Sequence, residues 1–171
     1  MTDPSLSHTR ARTLLIGVGN THRGDDGIGP AIVKAVADAP PEGVDCVIES
    51  GEATRLMEAW QGYDAVLIVD AAAMDAPPGI LIHLDPLAED LPAVEGDPSS
   101  HGLGVPEAVR LSAALGTLPA TLKIISINGE DFGHKTTLSP ALAERLPRFV
   151  QYTHYRLRQL AGAKVPDAVD A

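Results

Sequence analysis

The sequence predicts an α/β fold of three layers, a mainly parallel twisted sheet of about five strands with helices on both faces. Three observations predict it. Strand-like runs at Leu14–Ile16, Val44–Ser50, Ala65–Val69 and Lys123–Ile127 alternate with stretches of helical spacing, the pattern of successive βαβ units. The run Ala65–Val69 (AVLIV) is apolar at every position, as a strand covered on both faces must be. Aromatic residues are only 4% of the chain while hydrophobic residues reach 44%, so aliphatic side chains must fill the core, which suits buried parallel strands.

The elements follow in order. At 171 residues the chain has room for one domain with a good core, expected over 13–162, because two domains would each be too small. Residues 1–12 (MTDPSLSHTRAR) are polar and expected to be disordered, and 163–171 to form a flexible tail. The first strand breaks into a loop with Gly17, Gly19, Gly24, Gly27 and Gly29, and helical periodicity begins at Ile28, Ile32, Val33 and Val36. Pro40-Pro41 ends that helix. After the second strand a helix is expected around Thr54–Trp60, with Glu52 and Thr54 near its start. Pro77-Pro78-Gly79 forces a turn before Ile80–Leu84, which reads as an antiparallel edge strand because no helix separates it from its predecessor. The acidic stretch Leu87–Ser100 is a long loop of the kind that is usually functional or mobile, and Val105–Leu115 is the next helix. After the last strand, Ser139-Pro140 predicts an N-cap followed by proline at the first helical position,. Pro147 predicts a restart of that helix, with Phe149, Tyr152, Tyr155 and Leu160 forming its apolar face,.

Charge and cysteine content remove several function classes. A net charge of −10 repels phosphate backbones and anionic lipid, so neither nucleic acid nor a membrane is an expected partner. No apolar run approaches the roughly 20 residues of a membrane span. The single cysteine, Cys46, excludes an internal disulfide, fits a reducing cytoplasm, and reads as a small core residue. A cytoplasmic protein is expected.

In a parallel sheet of the common order 2-1-3, Asp26 after strand one and Asp70 after strand three lie over neighbouring carboxyl ends,. His101 can reach the same crevice from the long loop. Two carboxylates and one imidazole from three distant segments make an incomplete coordination sphere for Zn²⁺ or Ni²⁺, with a position left open. Each residue alone also has a purely structural reading: helix capping for Asp25 or Asp26, turn bracing for Asp70, loop bracing for His101. One helix needs one cap, so capping is assigned to Asp25 and the crevice to Asp26.

The glycine loop fits nucleotide motifs poorly. A G-x-G-x-x-G fingerprint starting at Gly17 needs glycine where His22 stands, and a P-loop needs Gly-Lys-Ser/Thr where the chain reads Gly24-Asp25-Asp26,. Glu49 still resembles the acid that binds a ribose hydroxyl. A nucleotide-binding module with a degenerate glycine loop is therefore the alternative function. Ser50, Ser99 and Ser100 form no paired nucleophile arrangement, and no H-E-x-x-H helix is present,.

Taken together, Gly17-Val18-Gly19-Asn20, Asp25-Asp26-Gly27-Ile28-Gly29 opening a helix, Val69-Asp70-Ala71, Ser100-His101 ahead of a helix, and Leu138-Ser139-Pro140 resemble the [NiFe]-hydrogenase maturation endopeptidases. The likeness runs from Leu14 to about Leu160. It implies a cytoplasmic endopeptidase that removes a carboxyl-terminal extension from the [NiFe]-hydrogenase large-subunit precursor after nickel insertion; a monomer is expected. The family's metal-binding acid in the glycine loop, acid after the third strand and histidine match Asp26, Asp70 and His101. These three are the expected catalytic and metal residues, with nickel supplied by the substrate and zinc or cadmium able to stand in for it. The family's Gly-Ile-Glu-Pro-like stretch after the last strand is replaced here by Ile127-Asn128-Gly129-Glu130-Asp131.

Overall fold

A computed structural model describes residues 11–91 and 104–162. The elements are β1 (Thr13–Val18), α1 (Ile28–Ala37), β2 (Val44–Glu49), α2 (Ala53–Ala59), β3 (Ala65–Ala72), β4 (Leu81–Leu84), α3 (Gly104–Leu115), β5 (Thr121–Asn128) and α4 (Pro140–Leu160). A 3-10 turn, Gly24–Gly27, joins β1 to α1.

The strands form one five-stranded sheet of order β2-β1-β3-β5-β4. All neighbours are parallel except β4, which pairs antiparallel with β5 at the edge. Strand alternation divides the core into two. Leu15, Leu67, Val69, Ile125 and Ile127 face α1 and α4, packing on Ile28, Ile32, Leu142, Phe149 and Leu157. Leu14, Ile16, Val18, Val66, Ile68, Leu122 and Ile124 face α2 and α3, packing on Leu56, Trp60, Val105, Ala108 and Val109. The three predicted layers are therefore α1/α4, sheet, and α2/α3. Among the described residues no helix is long and apolar enough to cross a membrane.

Close approach of α1 to the sheet sets the geometry of the glycine loop. A Cβ on Gly29 would meet the Val18 carbonyl oxygen at 2.5 Å and the Val69 carbonyl oxygen at 2.6 Å. The first turn of α1 therefore lies directly over the carboxyl ends of β1 and β3.

Three expectations about α4 are corrected. The helix does not restart at Pro147 but runs unbroken for 21 residues. Pro147 is exposed, so the carbonyl that loses its partner lies on the solvent side, and packing of Leu142 before it and Phe149 after it keeps the helix continuous. Its buried face is Leu142, Phe149, Thr153 and Leu157; Tyr152 and Leu160 only flank it. Nor does Ser139 cap the helix with its side chain: its Oγ is buried without a partner, and its backbone N–H is used elsewhere.

Candidate functional site

β1 connects through α1 to β2 on one side, whereas β3 continues to β5 and β4 on the other. The order reverses between β1 and β3, and in open α/β sheets the crevice at such a reversal, outside the carboxyl ends of the strands, receives the ligand. Asp26 and Asp70 stand on its two sides. Asp26 sits in the 3-10 turn after β1, 9% exposed, and its Oδ2 accepts the Asn20 N–H at 2.8 Å. Asp70 is near the end of β3, paired in register with Ser126 of β5. By strand alternation from Val66 and Ile68, it faces the α2/α3 side.

The two acids act on each other. Burial, and then the negative charge of Asp26, push the Asp70 carboxyl up to about 8, against a lowering hydrogen bond from the Ala71 backbone. A pair of carboxyls placed this way disfavours double ionisation unless a cation or a proton shares the crevice. The chemistry of the pair, two hard carboxylate oxygen donors, suits a divalent ion. Among the described residues no three His, Cys, Asp or Glu side chains converge as a metal site. The third predicted member, His101, lies outside the described residues. The helix that follows it begins at this edge: Gly104 packs so tightly on the Gly51 carbonyl after β2 that no Cβ fits between them.

Asp25 corrects the sequence reading most sharply. It caps nothing, because neither the 3-10 turn nor α1 has a side-chain cap. Instead it is completely buried. Its Oδ2 accepts the N–H groups of Glu130 at 2.9 Å and Asp131 at 3.1 Å, and Oδ1 accepts that of Ser139 at 2.7 Å. Sequence reasoning also missed Asn128 as a brace. Its side-chain oxygen accepts the Met74 N–H at 2.7 Å, and its amide donates to the carbonyls of Ala76 and Pro77, fixing the chain that leaves β3. A polar amide residue at the carboxyl end of the last strand was the available signal.

The same geometry argues against the nucleotide alternative. A phosphate in a glycine loop needs free backbone N–H groups, but Asn20 N–H is committed to Asp26 and Gly19 N–H to the Glu49 carbonyl at 3.0 Å. The Glu49 carboxylate, expected at a ribose, lies 3.5 Å from Arg55 Nε. Cys46 packs half-buried at the α1/α4 side, and burial, then Asp45, raise its thiol pKa, consistent with a structural role.

Comparison with known proteins identifies the lineage. The curated HupD of Rhodobacter capsulatus, a hydrogenase expression/formation protein, is 26% identical over 142 residues, 79% of this chain. The chain spans 66% of that relative's length. Among solved structures, the hydrogenase maturating endopeptidase HybD from E. coli superposes with a TM-score of 0.73 at 22% identity, covering 86% of this chain and 93% of that one. The [NiFe] hydrogenase maturation protease HybD from Thermococcus kodakarensis gives 0.68 at 22% identity, covering 85% and 99%. These structural likenesses carry the fold. The family model described as HycI, hydrogenase maturation protease, matches residues 12–154, and on that match the chain belongs to the hydrogenase maturation protease family.

Proposed function

We propose that this chain is an endopeptidase that removes a carboxyl-terminal extension from a [NiFe]-hydrogenase large-subunit precursor after nickel insertion, with Asp26, Asp70 and His101 recognising the nickel-bearing substrate. One observation carries the reading: two acids from distant segments stand on the two sides of the sheet's reversal point, where the charge of Asp26 opposes ionisation of Asp70. Such a pair gains from a divalent ion and gains little from a nucleotide phosphate. Family membership supports the reaction class, and the start of α3 at the same edge supports His101 as the third group.

The nickel belongs to the substrate, and it supplies Lewis acidity near the scissile bond. The chain's residues supply the rest. Asp26 is fixed by the Asn20 N–H, which one of its carboxylate oxygens accepts. Asp70, anchored in β3 between β1 and β5, faces it on a rigid element. Either acid can orient a water toward the scissile carbonyl and pass its proton to the leaving amine. A precursor without nickel offers the pair no cation, so Asp70 keeps its proton and the acids gain no contact with the substrate, which gives the order of events, metal insertion before cleavage.

The test is incubation of the purified protein with nickel-loaded and nickel-free precursor, followed by mass spectrometry. The loaded precursor should lose a short carboxyl-terminal peptide and the nickel-free one should not. Asp26→Ala, Asp70→Ala and His101→Ala should each abolish the mass shift. Equal cleavage of the nickel-free precursor overturns metal-guided recognition, and full activity of His101→Ala overturns the assigned triad.

A further inference from the structure

The mechanism above leaves a buried carboxylate without a role. Asp25 is 0% exposed and serves no helix of its own, yet both its oxygens are taken by backbone N–H groups of one segment, at Glu130, Asp131 and Ser139. That segment is the connection between β5 and α4. It is bound in the reverse direction as well, since Gly24 N–H donates to the Lys135 carbonyl at 2.8 Å and Asp25 N–H to the Asp131 carbonyl at 2.7 Å. The 3-10 turn that carries Asp26 is thus attached along one side to residues 130–139, while on the other side Asp26 itself holds Asn20.

We propose that Asp25 is a positioning residue: it clamps the β5–α4 connection to the turn bearing Asp26, and cleavage requires the clamp. The inference rests on the proposed function and adds to it a residue that never touches the substrate. Charge-assisted bonds to an ionised carboxylate are the strong class of hydrogen bond, and bonds from both sides leave the turn little freedom to rotate Asp26 out of the crevice. Displacement of a reacting group by about 1 Å can cost on the order of a hundredfold in rate. The carboxylate is specifically required, because two oxygens must both accept. In Asp25→Asn the shape is kept but one acceptor becomes an N–H₂ donor facing a backbone donor.

Two variants and two readouts test this. Amide hydrogen exchange in the metal-free protein reads the clamp without reference to activity, and steady-state cleavage of nickel-loaded precursor reads its coupling to chemistry. In Asp25→Asn, protection at Glu130, Asp131 and Ser139 should fall by on the order of tenfold or more while amides of β1 and β3 keep theirs. The kcat should fall by roughly tenfold to a hundredfold with KM changed by less than about threefold. Ser139→Pro approaches from the other side: the Ser139 φ of −58° already suits proline, so the change deletes one donor and leaves Asp25 intact. It should give a smaller fall in kcat of the same kind, and it carries the test if Asp25→Asn fails to fold. Absence of cleavage by the wild-type protein overturns the proposed function and this inference with it. Wild-type cleavage with an undiminished kcat in the variants, or unchanged protection at the three amides in Asp25→Asn and at Glu130 and Asp131 in Ser139→Pro, overturns the clamp alone.

Discussion

Asp70 shows how a residue is destabilised by its post. Its carboxyl is moved from the ordinary 3.8 to about 8 by burial and by Asp26, so between those values the unfolded chain ionises this group while the folded chain does not. Folding therefore binds a proton across that window, and the metal-free protein loses stability as pH rises through it toward the folded value. Asp70→Asn should raise the melting temperature of the metal-free protein at pH 8, and the gain should shrink toward zero near pH 4; thermal melts in EDTA at a series of pH values check this. A gain independent of pH would mean that ionisation is not the cause. The places of Asp26 and Asp70 were legible in the sequence because a strand end and a glycine loop are local features. Asp25 was not, since its partners lie 105, 106 and 114 positions downstream, and a local reading of Asp-Asp-Gly offers only a helix cap.

Among the elements, α4 and α1 show opposite limits of local pattern. Pro147 carries a strong breaking signal, yet the helix continues past it, packed through Leu142, Phe149 and Leu157, which sequence spacing cannot reveal. The residue is exposed, so replacing it restores a backbone donor without disturbing the core. Pro147→Ala should stabilise the protein by about 1–3 kcal/mol in urea denaturation, and a loss of stability would show that the proline helps the turn. Gly29 is the converse case. Its place in the loop was legible, but the reason was not: it lets α1 rest on the carbonyls of Val18 and Val69. Gly29→Ala should cost roughly 2–4 kcal/mol, because both obstacles are backbone and cannot swing aside. The layer order and the antiparallel edge of β4 were legible from alternation and connection length, because parallel strands require a crossover and β3 to β4 has none.

At the scale of the whole molecule, an acidic surface surrounds an acidic crevice. With 23 Asp and Glu against 13 Lys and Arg, the chain carries −10 at neutral pH, and a compact state confines that charge more closely than an unfolded one. Salt acts on two opposed terms. It screens the self-repulsion, which stabilises the fold, and it weakens ion pairs such as Arg12–Asp45 and Arg55–Glu49, in which the arginine side chains are 58% and 60% exposed. Exposed pairs contribute only about 0–1 kcal/mol each, whereas the repulsion is summed over the excess charge, so screening should win. The metal-free protein should therefore melt at a higher temperature in 0.5 M than in about 0.01 M sodium chloride at pH 8, where the Debye length shrinks from roughly 30 Å to a few Å. Near pH 4 the carboxylates begin to take up protons, the excess charge falls, and the gain from salt should largely disappear. Comparing the salt gain in wild type and Asp70→Asn separates local from global repulsion. If the crevice dominates, the gain should shrink in the variant, because its short-range pair is gone; if the surface dominates, both proteins should respond alike. The burial of Asp70 and Asp26 predicts the second outcome, since charges taken out of water are screened little by salt.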